Sequence, residues 1–229
     1  MDHILDNPVW NALISSNSDM AIGNDLAKLF PADIAPFAGL NDFSRASFSA
    51  LYDLLPCDRT VVIVTAKKVE IHHSWNLIDQ TILFQMTGED IGPSGGNYKN
   101  IISLQQDHVS QMIALTQLTN PGPFLKRTIE FGDYTGIFNN DQLVAMAGQR
   151  MHINQYVEIS AVCTHPDHFG KGYGTALINN QADRIISEGK VPFLHVRKDN
   201  ANAIKLYRHL GFGVRQEMNL YVFKKRSNE

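Results

Sequence analysis

The chain has 229 residues, 44% hydrophobic and 19% charged, with a net charge of −3, the balance of an ordinary globular protein of one or two domains. No apolar run approaches the ~20 residues that span a bilayer. The acidic start MDHILDNPVW lacks the basic n-region and apolar core of a signal peptide, and Cys57 and Cys163 are too few for a disulfide framework, so a cytoplasmic protein with no membrane contact is expected.

Residues 1–97 carry 5 Lys+Arg against 12 Asp+Glu, whereas residues 98–229 carry 15 against 11. The basic half has no basic helix and no aromatic-basic stripe, so nucleic-acid binding is not expected. Within the first half, Phe43–Leu55 reads as a helix, capped by Asp42 or Ser44 and closed by Pro56. Thr60–Thr65 (TVVIVT) and Thr81–Met86 are buried-strand patterns. The adjacent pair His72-His73 would point to opposite faces of a strand. No Cys, Asp or Glu stands at ligand spacing from it, so no metal is expected. Residues 88–97, GEDIGPSGGN, read as a linker between an α/β half, 1–97, and a second half, 98–229.

In the second half Ile101–Leu104 is a short strand, and Gln106–Leu118 has helical apolar spacing until Pro121-Gly122-Pro123. Tyr134–Phe138 and Leu143–His152 are strands joined by Asn139-Asn140-Asp141, a hairpin turn. Tyr156–Thr164 is the central strand. Gly172–Glu188 is a helix with Gly189 at its C-terminal cap. Val191–Arg197, Asn200–Leu210 and Glu217–Phe223 follow as strand, helix and strand.

Between the central strand and its helix stand three alternate glycines, Gly170, Gly172 and Gly174. Glycines at a strand-to-helix turn let backbone N–H groups crowd around a ligand that a Cβ would block. The helix start adds unpaired donors and a positive dipole end. A plain turn needs fewer glycines, so the pattern points to a site for a diphosphate. Lys171 would either add charge there or face solvent.

The element order, with two local motifs, resembles the GNAT acetyltransferase superfamily over residues of roughly 100–224. The first motif is Phe169-Gly170-Lys171-Gly172-Tyr173-Gly174, similar to the family's acyl-CoA loop, with Phe169 where Arg or Gln is usual. The second is His195-Val196-Arg197, then the run from Asp199-Asn200 to Tyr207, then Leu210-Gly211-Phe212, similar to the family's strand–Asn–helix–Tyr–Leu-Gly-Phe segment. The resemblance implies an α/β (α+β) fold with a mixed, splayed sheet flanked by helices. It is looser for a branch whose extra N-terminal half is a smaller, degenerate copy of the same fold, which the strands of residues 1–97 would permit.

The resemblance also implies roles. Gly170, Lys171, Gly172, Tyr173, Gly174 and Thr175 would wrap the pyrophosphate of coenzyme A. Val162, Cys163 and Thr164 would end a strand that splays from the next one, often at a bulge. Their backbone would pair with the pantetheine arm and offer an N–H to the thioester oxyanion. Asn200 suits a helix cap, and the resemblance adds a contact to the coenzyme. Glu158, four positions before Val162, matches the general base of the histone-acetyltransferase branch; the residues alone allow a strand-edge carboxylate in water or paired with Arg150. Tyr207 falls on the tyrosine that protonates the departing thiolate, and would also pack between helix and sheet. Cys163 has no adjacent His–acid pair and reads as a small buried apolar residue, and His195 as a hydrogen-bonded core residue. His168 and His209 could flank the phosphates.

The function implied is an N-acetyltransferase that moves an acetyl group from acetyl-CoA to a primary amine on a small molecule, by direct attack and without metal. The N-terminal half would close one side of the acceptor pocket. Transfer of another acyl group, a hydroxyl acceptor, and a coenzyme-A-binding sensor without turnover are the alternatives. A homodimer is left open.

Overall fold

The computed structural model describes residues 3–71, 74–96 and 98–226, so the His72-His73 pair lies outside the described residues. The chain begins with a 3-10 turn, Ile4–Asp6, and a short helix α1, Pro8–Leu13, with Pro8 in its first turn, where a missing N–H is no loss. Strands β1 (Ile22–Gly23), β2 (Ala27–Leu29) and β3 (Ala38–Leu40) form a small antiparallel sheet. Helix α2 (Arg45–Leu54) follows. Both sequence candidates serve its cap: Ser44 Oγ accepts from the Ser47 N–H, and Asp42 accepts from the Ser44 N–H and the Ser47 hydroxyl.

The remaining strands build one eight-stranded sheet. In chain order they are β4 (Thr60–Thr65), β5 (Trp75–Thr87), β6 (Ile102–Ser103), β7 (Thr135–Asn139), β8 (Gln142–Ile153), β9 (Tyr156–Thr164), β10 (Val191–Arg197) and β11 (Gly213–Lys225). Helix α3 (Val109–Thr119) lies between β6 and β7, α4 (Tyr173–Ser187) between β9 and β10, and α5 (Ala201–His209) between β10 and β11. The spatial order is β4-β11-β5-β10-β9-β8-β7-β6, with β9 and β10 parallel and the other neighbours antiparallel. The sheet is therefore mixed, as expected. Strand β5, from before residues 88–97, lies between β10 and β11 from after them. Ser94 and Tyr98, on either side of residue 97, both donate to the Asp183 carboxylate of α4.

Alternation along the strands sends side chains to two faces. One face packs against α1 and α3 through Leu5, Val9, Met112, Leu115, Met151 and Phe193. The other packs against α4 and α5 through Ile178, Ala182, Ile185, Leu194 and Ile204. At the far end α2 and the small sheet cover Val61, Ile63, Trp75, Tyr221 and Phe223. Ile178 and Ile185 are 0% and 1% exposed; burying each contributes about 1.5–3 kcal/mol. That seats α4, and with it the glycine turn at its N-terminus. Asn140 and Asp141, with φ of 47° and 64°, make the predicted β7–β8 turn, the left-handed pair a tight hairpin needs.

Candidate functional site

Strands β9 and β10 part company early. Their backbones pair only over Tyr156–Glu158 with Val191–Phe193, while β10 continues alongside β5 to Arg197. Among the described residues, the edge of β9 that faces β10 has no strand partner from Ile159 onward, and a V-shaped cleft opens. On its other edge β9 bulges against β8, with Ala161 and Val162 together opposite Ala147. Ala161 takes the strain with φ of 53°, a left-handed value an alanine seldom adopts. A bulge frees backbone groups from the ladder and redirects them, here halfway along the open edge.

The glycine turn follows β9. Gly170 and Gly172 have φ of 77° and 75°, and a Cβ built on either would meet nothing within 4 Å. Backbone conformation, not crowding by the protein, is what requires glycine there. Gly172 caps α4 without a side-chain hydrogen bond, which leaves the first N–H groups of a fifteen-residue helix as donors for a ligand. Gly174, in the first turn, faces the Thr164 hydroxyl, and Tyr173 and Thr175 lie beside it, half-buried. Lys171 Nζ lies 3.2 Å from His168 Nδ1, and the His168 ring stacks on Tyr173. Phe169 is 67% exposed.

The other predicted residues divide between the two faces of the sheet. Tyr207 packs in the same core as Val162, on the α4/α5 face, edge-on to Phe212. Burial pushes its phenol up to about 12, and its hydroxyl has no hydrogen-bond partner among the described residues. Asn200 caps α5 by accepting from the Ala203 N–H. Cys163 is buried on the opposite face, and burial pushes its thiol up to about 11, which keeps it protonated and a weak nucleophile.

Glu158 is not the accessible carboxylate that the resemblance implies. It is 0% exposed. Arg150 donates to both of its oxygens, at 2.8 and 2.6 Å, and His195 Nδ1 donates to Oε1 at 2.8 Å. Burial alone would raise its pKa, but the Arg150 charge and these hydrogen bonds outweigh it and hold the carboxyl down at about 2. An oxygen so occupied has little affinity for a proton held by an amine near ~10.4. The pairing with Arg150, one of the readings open in the sequence, is the geometry observed. The structural cause is a second bulge, where Arg150 and Met151 of β8 together oppose Glu158.

Sequence reasoning missed the partners around this ion pair. Gln85, directly opposite His195 in the β5–β10 register, and Arg215, on a bulge of β11, both join it. They come from distant parts of the chain, so no local spacing marks them. Among the described residues no three His, Cys, Asp or Glu side chains converge as metal ligands would, and no helix is long and apolar enough to cross a membrane. A cavity of about 430 Å³ lined by Gln105, Asp133, Tyr134 and Arg184 lies toward the C-terminal end of α4, away from the glycine turn.

Comparison with known proteins agrees with this geometry. A family model described as FR47-like protein matches residues 134–222. A structure assigned to the GNAT acetyltransferase family, from Novosphingobium aromaticivorans DSM 12444, is 30% identical and covers 99% of this chain and 100% of its own, with a TM-score of 0.92. A GCN5-related N-acetyltransferase from Kribbella flavida shares the fold at 12% identity and a TM-score of 0.62, covering 95% of this chain and 96% of its own. A GCN5-related N-acetyltransferase-like protein from Streptococcus suis 89/1591 does so at 13% identity and a TM-score of 0.60, covering 96% and 95%. No curated protein matches the sequence. Because it aligns over nearly every residue with a GNAT-family structure at 30% identity, the chain belongs to the GNAT acetyltransferase family.

Proposed function

We propose that the protein is an acyl-CoA-dependent N-acetyltransferase that moves an acetyl group from acetyl-CoA to a primary amine on a small molecule. The observation that carries this reading is the parting of β9 from β10 after Glu158 and Phe193, with the left-handed glycine turn at the end of the open edge. A pantetheine arm has amides that can pair with an unpartnered strand like an added strand. A pyrophosphate needs N–H donors with no side chains in the way, as at Gly170, Gly172 and the uncapped start of α4. Val162, Cys163 and Thr164 would line the arm with backbone, and Asn200 would face it across the cleft. The coenzyme supplies an activated thioester carbonyl.

The residues then divide the work. Backbone N–H groups freed by the bulge at Ala161 and Val162 would hold the negative charge that develops on the carbonyl oxygen. The amine, in its neutral form, attacks the thioester carbon, a C–N bond forms and the C–S bond breaks. Tyr207 gives its proton to the departing sulfur; its raised pKa keeps it a neutral phenol, the form an acid needs. The attacking nitrogen loses its extra proton to water, which restores the phenol. The N-terminal half would close one side of the acceptor space, since Phe37 stacks on Arg150 and Asp6 accepts from Arg215 beside the cleft apex.

The test is release of free coenzyme A thiol from acetyl-CoA across a panel of primary amines and alcohols, repeated with longer acyl-CoA donors. Amine-dependent release with acetyl-CoA supports the reading. Preference for a longer chain or an alcohol would redirect it, and tight acetyl-CoA binding with no transfer would make the protein a sensor.

A further inference from the structure

A single polar row crosses the sheet at the apex of the V. It takes one side chain from each of five neighbouring strands, in their spatial order β8-β9-β10-β5-β11. Arg150 donates to Glu158, His195 donates to Glu158, Gln85 Nε2 meets His195 Nε2 at 2.9 Å, and Arg215 Nε donates to Gln85 Oε1. At the far end Arg215 also donates to Asp6, which caps the 3-10 turn at the chain start by accepting from the His3 N–H.

The row is ordered by its hydrogen bonds. The Glu158 oxygens accept from Arg150, so the His195 ring meets that carboxylate with an Nδ1–H and turns Nε2 toward Gln85. Gln85 fills the Nε2 lone pair with one N–H and donates the other to the Leu5 carbonyl, while its oxygen faces Arg215. The polar atoms of Glu158, His195 and Gln85 that meet within the row are paired donor to acceptor, as a buried row requires. Any other tautomer of His195 would set donor against donor at Gln85.

Position gives the row a purpose beyond packing. Glu158 and Phe193 are the last backbone pair between β9 and β10. His195 stands two residues further along β10, where the strands have begun to part. Its bond to Glu158 is thus a side-chain link just past the end of the backbone ladder, braced from β8 by Arg150 and from β5 by Gln85.

We propose that the Glu158–His195 bond is a strut that sets the opening of the β9/β10 cleft, so that His195 and Gln85 are positioning residues for the acyl-pantetheine arm. The proposal rests on reading the cleft as an acyl-CoA site. It predicts an effect confined to the arm, because the glycine turn that would hold the nucleotide end is built on β9 and α4 and is not part of the row.

The experiment compares calorimetric affinities for acetyl-CoA and for 3′-phosphoadenosine 5′-diphosphate, the nucleotide end alone. His195→Phe keeps ring volume and removes both hydrogen bonds. It should weaken acetyl-CoA binding about tenfold, the size of one charge-assisted hydrogen bond, while nucleotide affinity moves by less than about twofold. His195→Asn places an amide nitrogen where Nδ1 stood and should recover most of the lost affinity; His195→Gln, which mimics Nε2, should not. Equal losses for both ligands, or no rescue by Asn, would overturn the proposal. Should His195→Phe not fold, the imidazole nitrogen resonances of the wild-type protein decide the point, since a ring without a proton on Nδ1 is incompatible with the strut. Wild-type protein that binds neither ligand would instead overturn the reading of the cleft.

Discussion

Arg150 grips Glu158 through both carboxylate oxygens, and 13% of the arginine side chain is exposed against 0% of the glutamate. Breaking such a buried pair by removing one charge typically costs about 3–5 kcal/mol, because the other charge stays buried. Glu158→Gln imitates the protonated acid without changing shape. The folded-state pKa, about 2, lies below the ordinary 4.5, so the stabilisation is complete above the ordinary value and is lost as pH falls toward the folded one. The wild-type protein should therefore be more stable than Glu158→Gln at neutral pH, and the gap should close between those two values. Chemical denaturation of both proteins across that window checks it; a gap that ignores pH would mean that Glu158 titrates normally in the fold.

Tyr207→Phe removes the proposed acid but keeps the ring and its packing against Phe212. General acids contribute typically ~10²–10⁴-fold, so kcat with any accepted amine should fall by at least about tenfold while acetyl-CoA affinity stays near wild type. The rate of the wild-type protein should rise with pH along the titration of the acceptor amine. No enzyme carboxylate should appear in that profile, because Glu158 is already ionised. A step in the profile near the usual carboxylate range would restore a base role to an acid of this chain.

How far these sites were legible in the sequence follows from how local each signal is. Strands β9 and β10 begin and end where the apolar runs Tyr156–Thr164 and Val191–Arg197 do, and Asn200, Ser44 and the Asn140-Asp141 turn act within a few residues of themselves. The glycine turn was readable because left-handed backbone at Gly170 and Gly172 selects the residue type directly. The position of β5 between β10 and β11 was not, since an apolar strand carries no mark of its neighbours. A bulge is implied by the resemblance, but its seat at Ala161 was not readable, because an ordinary residue bears the strain there. The burial of Glu158 depends on a register in which two residues of β8 oppose one of β9, and a one-residue slip would send its side chain to the other face. A glutamate in an apolar strand announces a buried charge, but its partners lie on strands that only the fold brings beside it.

Gly172→Asp should abolish measurable acetyl-CoA binding. The position is left-handed and open, so an aspartate can be accommodated with modest strain, but its charge would stand at the donors meant for an anion. Gly172→Ala separates the two effects: it adds strain without charge and should weaken binding far less. Calorimetry with acetyl-CoA, alongside melting temperatures, gives the answer, and unchanged affinity in Gly172→Asp would remove the turn from the site.

Phe169 offers the opposite experiment. It occupies the place where the family's loop usually carries Arg or Gln, and its side chain is exposed, so its replacement disturbs no core. Binding at this turn then depends on backbone donors at Gly170, Gly172 and the start of α4 more than on a side-chain charge. An arginine there would add a mobile, solvated cation beside the phosphates. Such a charge is worth up to about 1 kcal/mol and is screened by salt. Phe169→Arg should tighten acetyl-CoA binding by up to about fivefold at low ionic strength, with the gain fading as salt is raised. A gain that resists salt would point to ordered contacts in place of a diffuse attraction. No gain at any ionic strength would mean that the phosphates do not lie beside Phe169, and that the turn seats the coenzyme from its other flank, at Tyr173 and Thr175.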